Sequence, residues 1–120
     1  MWQEVLSPIS QELISEFKSG SLAESLNIYT EESNFPDLTG NRVTIIGVPE
    51  DRASLRHKGS SDASNAIRKQ LYSLYPGSWE INIADIGNII PGRDIVDTIA
   101  ALEEVCVEVL KHNSIPLVLG

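Results

Sequence analysis

Four basic side chains crowd one short stretch of the chain: Arg52, Arg56, His57 and Lys58 within EDRASLRHKGSSD, residues 50–62. A guanidinium can grip a carboxylate through two parallel hydrogen bonds, and an ammonium adds a compact point charge. The stretch therefore suits recognition of a small molecule's carboxylate, with Arg52, Arg56 and Lys58 as the candidate substrate-side residues. The plainer reading is a solvated loop, because a connection this long accompanies either function or mobility. Other chemistry-bearing residues are sparse. His57 and His112 are the only histidines, and neither is followed by an acid two or four positions on, so no metal site is expected inside the chain. Cys106 lies on an apolar helical stripe and reads as a buried, inert thiol. Asp85 ends a strand, where a catalytic carboxylate can sit, yet capping a turn is its simpler role. Arg68 reads as an outward helix residue, or as a partner for Asp62. No residue is assigned as catalytic or as a metal ligand.

The elements that must position these groups follow from the apolar pattern. Val43 to Val48 is a β-branched run, continuous enough for a strand buried on both faces, and Pro49 ends it. Asp62 or Ser61 can cap a helix over residues 63–75, with Ala63, Ala66, Ile67, Gln70, Leu71 and Leu74 inward and Arg68 and Lys69 outward. A strand is expected at 81–86, closed by Gly87. Asp94 caps the clearest helix, whose inward stripe is Ile95, Val96, Ile99, Leu102, Cys106, Val109 and Leu110. Lys111 and His112 suit its negative end. Residues 115–119 form a third buried strand. Ahead of these, Ser7-Pro8 opens a helix over 8–18, a second helix spans 21–30, and EESNFPDLTG at 31–40 reads as a linker.

Strands alternating with helices imply an α/β fold, a three-layer α/β/α parallel sheet with right-handed crossovers. The domain reading is an acidic helical extension and linker at 1–40, then the N-terminal part of an α/β domain at 41–120. The first forty residues hold seven acids and one base, and so carry most of the net charge of −8. That charge excludes nucleic acid and anionic membrane as the main partner. Trp2, Trp79 and the tyrosines are scattered and form no stacking platform. Gly47, Gly59 and Gly87 form neither G-x-G-x-x-G nor a Walker loop, so nucleotide binding has no motif. No apolar run is long enough to span a bilayer. One cysteine among 120 residues excludes an internal disulfide and fits a reducing, cytoplasmic compartment.

Three parallel strands are few for a sheet covered on both faces, and the third ends at Gly120. In open α/β sheets the chemistry lies beyond the carboxyl ends of the strands. The sheet is therefore expected to be roughly the first third of a larger one, cut before its chemistry.

The motifs, taken in order, resemble the N-terminal part of the ureohydrolases: arginase, agmatinase and formimidoylglutamase. Ile45-Ile46-Gly47-Val48-Pro49 resembles the family's first strand with its Gly-x-Pro ending. Lys58 to Arg68 resembles its Gly-rich loop and "G-P-x-A-I-R" helix start, with Ala63-Ser64 in place of Gly-Pro. Asp85-Ile86-Gly87-Asn88 resembles "D-x-G-D" with Asn88 for the second Asp, and Asp97-Thr98 resembles the family's "D-T". Ile115 to Gly120 resembles the strand that runs into "G-G-D-H". The two departures and the acidic extension favour a formimidoylglutamase-like branch over arginase or agmatinase.

The resemblance implies an arginase-type sheet whose first strands lie in the order 2-1-3, and a Mn²⁺-dependent hydrolase of a linear amidine C–N bond. A metal-bridging hydroxide would attack the carbon of a small guanidino or formimidoyl substrate, and the enzyme would be a homo-oligomer. The family's metal ligands all fall in motifs past Gly120. The segment alone is therefore expected to be inactive and to bind no cofactor. The rival reading is a non-catalytic α/β regulatory or protein-interaction domain, whose partner surface would be residues 8–30.

Overall fold

The computed structural model describes every residue except Glu16, His57 and Trp79, so the expectations on His57 and Trp79 lie outside the described residues. A 3-10 turn at Trp2–Val5 leads into β1 (Leu6–Ser7), α1 (Gln11–Ser15), α2 (Leu22–Ser25) and β2 (Asn27–Ile28). The longer elements follow: β3 (Val43–Gly47), α3 (Ala63–Tyr72), β4 (Ile83–Ile89), α4 (Ile95–Lys111) and β5 (Ile115–Leu119).

The three long strands are parallel and lie in the order β4-β3-β5, the 2-1-3 arrangement expected for them. The sheet does not stop there. The outer side of β4 is shared by β1, antiparallel through Leu6↔Ile89 and Ser7↔Asn88, and by β2, parallel through Asn27↔Ala84 and Ile28↔Asp85. The N-terminal helices are correspondingly shorter than expected. Ser7 pairs as strand rather than capping a helix, and Ile9 is buried in a bridge to Thr30. The physical reason is long-range: β4 would otherwise present a row of unpaired backbone groups, and the first thirty residues supply their partners.

Alternation along β4 sorts the core into two layers. Ala84 and Ile86 pack with Ile46, Val105 and Val109, beneath α4, where Leu6, Leu38 and Ile89 join them. Tyr72, Ala23 and Leu26 form the second cluster, which Ile83 and Phe17 flank. Trp2 and Tyr29 each meet Phe35 edge-on, with centroids 5.5 and 5.1 Å apart, closing the N-terminal segment over the first layer.

The side chain of Asp94 accepts the Asp97 N–H at 3.0 Å and so caps α4 as the sequence suggests. The buried face of α4 matches the expected stripe only in part, at Val109 and the half-buried Leu102 and Cys106. Thr98, Val105 and Val109 face the sheet, whereas Val96, Ile99 and Leu110 are exposed. Its end is ordinary: His112 is the C-cap, its Nδ1 2.7 Å from the Glu108 carbonyl oxygen.

Within this segment the third long strand is an edge. Ile115, Leu117 and Val118 are exposed because β5 has β3 on one side only among the described residues. The Ile115 N–H donates to Arg42 and the Leu119 carbonyl accepts from Val48. Alternation then turns the Pro116 nitrogen toward the unpaired edge, where its missing N–H costs no ladder bond. Among the described residues, no helix is long and apolar enough to cross a membrane.

Candidate functional site

Two side-chain networks sit at the carboxyl ends of the parallel strands, the end where open α/β sheets carry their chemistry. The first is built on Arg68. In α3 the residues facing the sheet are Ser64, Arg68 and Tyr72, while Ile67 and Leu74 face solvent. The expected outward Arg68 is thus fully buried, and the expected inward stripe is displaced.

The cause is Asp85. This carboxylate, also fully buried, accepts from Arg68 Nε at 2.8 Å and Nη2 at 2.9 Å, the two-pronged geometry of a strong ion pair. It also accepts from the Tyr72 hydroxyl and from the Gly87 N–H at 3.1 Å. Arg68 spends its remaining donors on the Gly87 carbonyl, Asn65 Oδ1 and Asn88 Oδ1. Burial, and then the adjacent Asp85 charge, push the Tyr72 phenol well above its usual range, so it stays a neutral donor. Asn88 supplies an acceptor without a second negative charge. An Asp there would set two carboxylates on one guanidinium.

This network fixes the shape of β4. Between Ile45↔Asp85 and Gly47↔Asn88, β4 carries one residue more than β3. The strand therefore bulges at Gly87, which adopts φ +86°, and runs on to Ile89 rather than closing as expected. Gly47 leaves the room: a Cβ there would lie 1.9 Å from Asn88 Oδ1 and 2.8 Å from Arg68 Nη1. Asp85 is thus structural, as its turn-capping reading suggested, with a buried cation added.

The second network joins the loop after β3 to the loop after β4. Glu50, its side chain 8% exposed, accepts from Arg52 Nε at 2.9 and 3.1 Å, from Arg52 Nη2, and from the Arg52 N–H at 3.0 Å. The Thr98 hydroxyl lies 2.9 Å from Glu50 Oε1 and accepts from Arg52 Nη2 at 3.1 Å and from the Gly92 N–H at 2.9 Å. Arg52 Nη1 donates to the Arg93 carbonyl at 3.0 Å.

The other basic residues of the loop divide. Lys58 Nζ donates to the Asp51 and Arg52 carbonyls, each at 3.0 Å, and the Gly59 N–H reaches Asp51 Oδ2 at 2.6 Å, so the loop closes on itself. That Gly59 bond holds the Asp51 carboxyl below its usual range. Arg56 is exposed. The three substrate-side candidates therefore share one loop, but Arg52 and Lys58 are engaged in building it. Cys106 is half-buried, and burial raises its thiol pKa, which keeps it protonated.

The Arg52 side chain and its backbone N–H pull the Glu50 carboxyl down from 4.5 to about 2. A carboxylate lowered in the folded state contributes stability above its unfolded value and loses it as pH falls through the folded one. The loop is therefore expected to be held at pH 7 and to release progressively between pH 4.5 and about 2. Backbone amide resonances of residues 50–59 followed against pH would show it. A transition centred near 4.5 would mean that Arg52 does not hold Glu50.

The profile described as the Arginase family matches residues 41–120. The chain belongs to the arginase family. Over 81 residues, this arginase-family chain is 30% identical to a formimidoylglutamase of Halobacterium salinarum, covering 63% of the chain and 26% of that protein. It thus spans about a quarter of the length of the curated relative it matches. No solved structure matches it. The matched region contains all three long strands and both networks. Among the described residues no group of three or more His, Cys, Asp or Glu side chains is placed to hold a metal ion, so the residues here do not fit a manganese site.

Proposed function

We propose that residues 41–120 supply the N-terminal part of a Mn²⁺-dependent ureohydrolase-like enzyme, with residues 1–40 as its acidic extension. The enzyme hydrolyses a linear amidine C–N bond, formimidoylglutamase-like in preference to arginase or agmatinase, and the segment alone does not turn over. The similarity to a formimidoylglutamase over 81 residues carries this reading. The segment contributes the sheet's carboxyl-end loops, and manganese would be held by residues of the parent enzyme outside this segment. A homo-oligomeric assembly of that enzyme is part of the same reading. In the substrate-side loop, Arg56 is the residue left to meet a carboxylate, with Arg52 and Lys58 shaping the loop around it.

The test is an assay of the full-length parent with Mn²⁺ against formimidoylglutamate, arginine and agmatine. Turnover of formimidoylglutamate is expected; turnover of none of the three sinks the reading, and turnover by the 120-residue chain alone overturns its inactivity. Arg56→Ala is expected to raise KM for formimidoylglutamate by about tenfold or more, the loss of a charge-assisted hydrogen bond. Agmatine, which has no carboxylate, should be unaffected.

A further inference from the structure

An arginine that grips a carboxylate must offer two parallel N–H groups from one edge. Arg52 has none to spare. Its Nε–H is held by both oxygens of Glu50, and its two Nη2 hydrogens go to Glu50 and Thr98. One Nη1 hydrogen goes to the Arg93 carbonyl. A single N–H remains of five.

What those bonds achieve is a joint. Glu50 and Arg52 belong to the loop after β3, Gly92 and Arg93 to the loop after β4, and Thr98 to the first turns of α4. The Thr98 Oγ1 is the pivot, since the Gly92 N–H, Arg52 Nη2 and Glu50 Oε1 all meet there and Thr98 is 1% exposed. Removing any one partner weakens the others: without the Arg52 side chain the Glu50 carboxylate keeps the Thr98 hydroxyl and the residue-52 backbone N–H but loses its counter-ion.

We propose that Arg52, acting through Glu50 and Thr98, is a positioning residue that locks the loop after β3 onto the loop after β4 and so presents Arg56 outward. The presentation of Arg56 to a carboxylate-bearing substrate rests on the functional reading above; the lock itself does not. The loop's three trypsin sites, after Arg52, Arg56 and Lys58, make it measurable in the chain as it stands, because trypsin must draw the target side chain out of its contacts.

Limited trypsinolysis at pH 8, with cut sites assigned by mass spectrometry and melting followed in parallel, should cleave after Arg56 well before Arg52. Thr98→Val removes the pivot oxygen at nearly constant shape, and is expected to speed cleavage after Arg52 relative to Arg56 by about tenfold. Thr98→Ser restores the hydroxyl and should restore the wild-type ratio. Glu50→Gln, digested well below its own melting temperature, should behave like Thr98→Val, which guards against a variant that merely folds poorly. Equal cleavage after Arg52 and Arg56 in the wild-type chain overturns the lock. So does a Thr98→Val chain that melts lower with an unchanged cleavage ratio. Neither readout depends on hydrolase activity, so failure here leaves the enzymatic reading standing, and failure of the assay leaves the lock standing.

Discussion

A chain carrying Asp85→Ala is expected to lose about 3–5 kcal/mol of stability, the cost of leaving a buried charge without its partner. Arg68 would remain inside α3 with no counter-ion, and the Tyr72 hydroxyl and Gly87 N–H would lose an acceptor that both now use. Against the 5–15 kcal/mol typical of a whole domain, that removes from about a fifth to all of the folded state's margin. Urea unfolding followed by circular dichroism would measure it.

The informative comparison removes the ion pair together with the phenol hydroxyl. Arg68→Met, Asp85→Leu and Tyr72→Phe together replace the charges with apolar groups of similar size, and such exchanges are often neutral or stabilising. The triple variant is therefore expected to stay near wild type while the single variant unfolds. If both unfold alike, charge compensation is not what makes Asp85 necessary. The bulge at Gly87 would then be, since Asp85 bonds its N–H and Arg68 its carbonyl.

That network also marks where sequence reasoning stopped. The three long strands were legible because β-branched runs stand between Pro and Gly breakers, while their order came with the family resemblance and not with the strand pattern. The orientation of the helices was not. In α4 aliphatic side chains run around more than half the circumference, so periodicity admits several inward stripes, while α3 has one aliphatic stripe and turns it, with Ile67, to solvent. A long-range polar contact chooses between them: Asp85 draws the Ser64–Arg68–Tyr72 line inward, and Glu50 draws Thr98.

A signal was present in each case. A lone acid inside the apolar run IADIGNI needs a buried cation, and Arg68 and Tyr72 are spaced to serve it from one helix face. Glu50, two residues before Arg52, was the sign that this guanidinium had a partner at home. The N-terminal segment misled for the opposite reason. Ser7-Pro8 is a sound local helix start, but the open side of β4, some eighty residues away, has the stronger claim on that backbone.

The same junction yields the second large effect. Gly87→Ala is expected to cost about 3–5 kcal/mol, from left-handed strain of roughly 1–2 kcal/mol and loss of the burial that β1 provides. The steric part is severe. Gly87 sits at φ +86°, and a Cβ there would lie 2.0 Å from the Ser7 carbonyl oxygen and 3.0 Å from its carbon. Neither is a flexible side chain that can swing aside. Since β4 is anchored by Arg68 and by β3, the element that must yield is β1. Its departure breaks the Ile90 N–H bond to Val5 and the Ser7 hydroxyl bond to Asn88, and exposes Leu6. Hydrogen exchange should accordingly lose protection at Ile90 while Val48 and Ile115, whose amides bond between β3 and β5 or their flanks, keep theirs. Loss spread evenly over all three amides would mean that the first forty residues cannot part from the sheet without unfolding it. The acidic segment would then be a part of this domain's fold rather than an extension upon it.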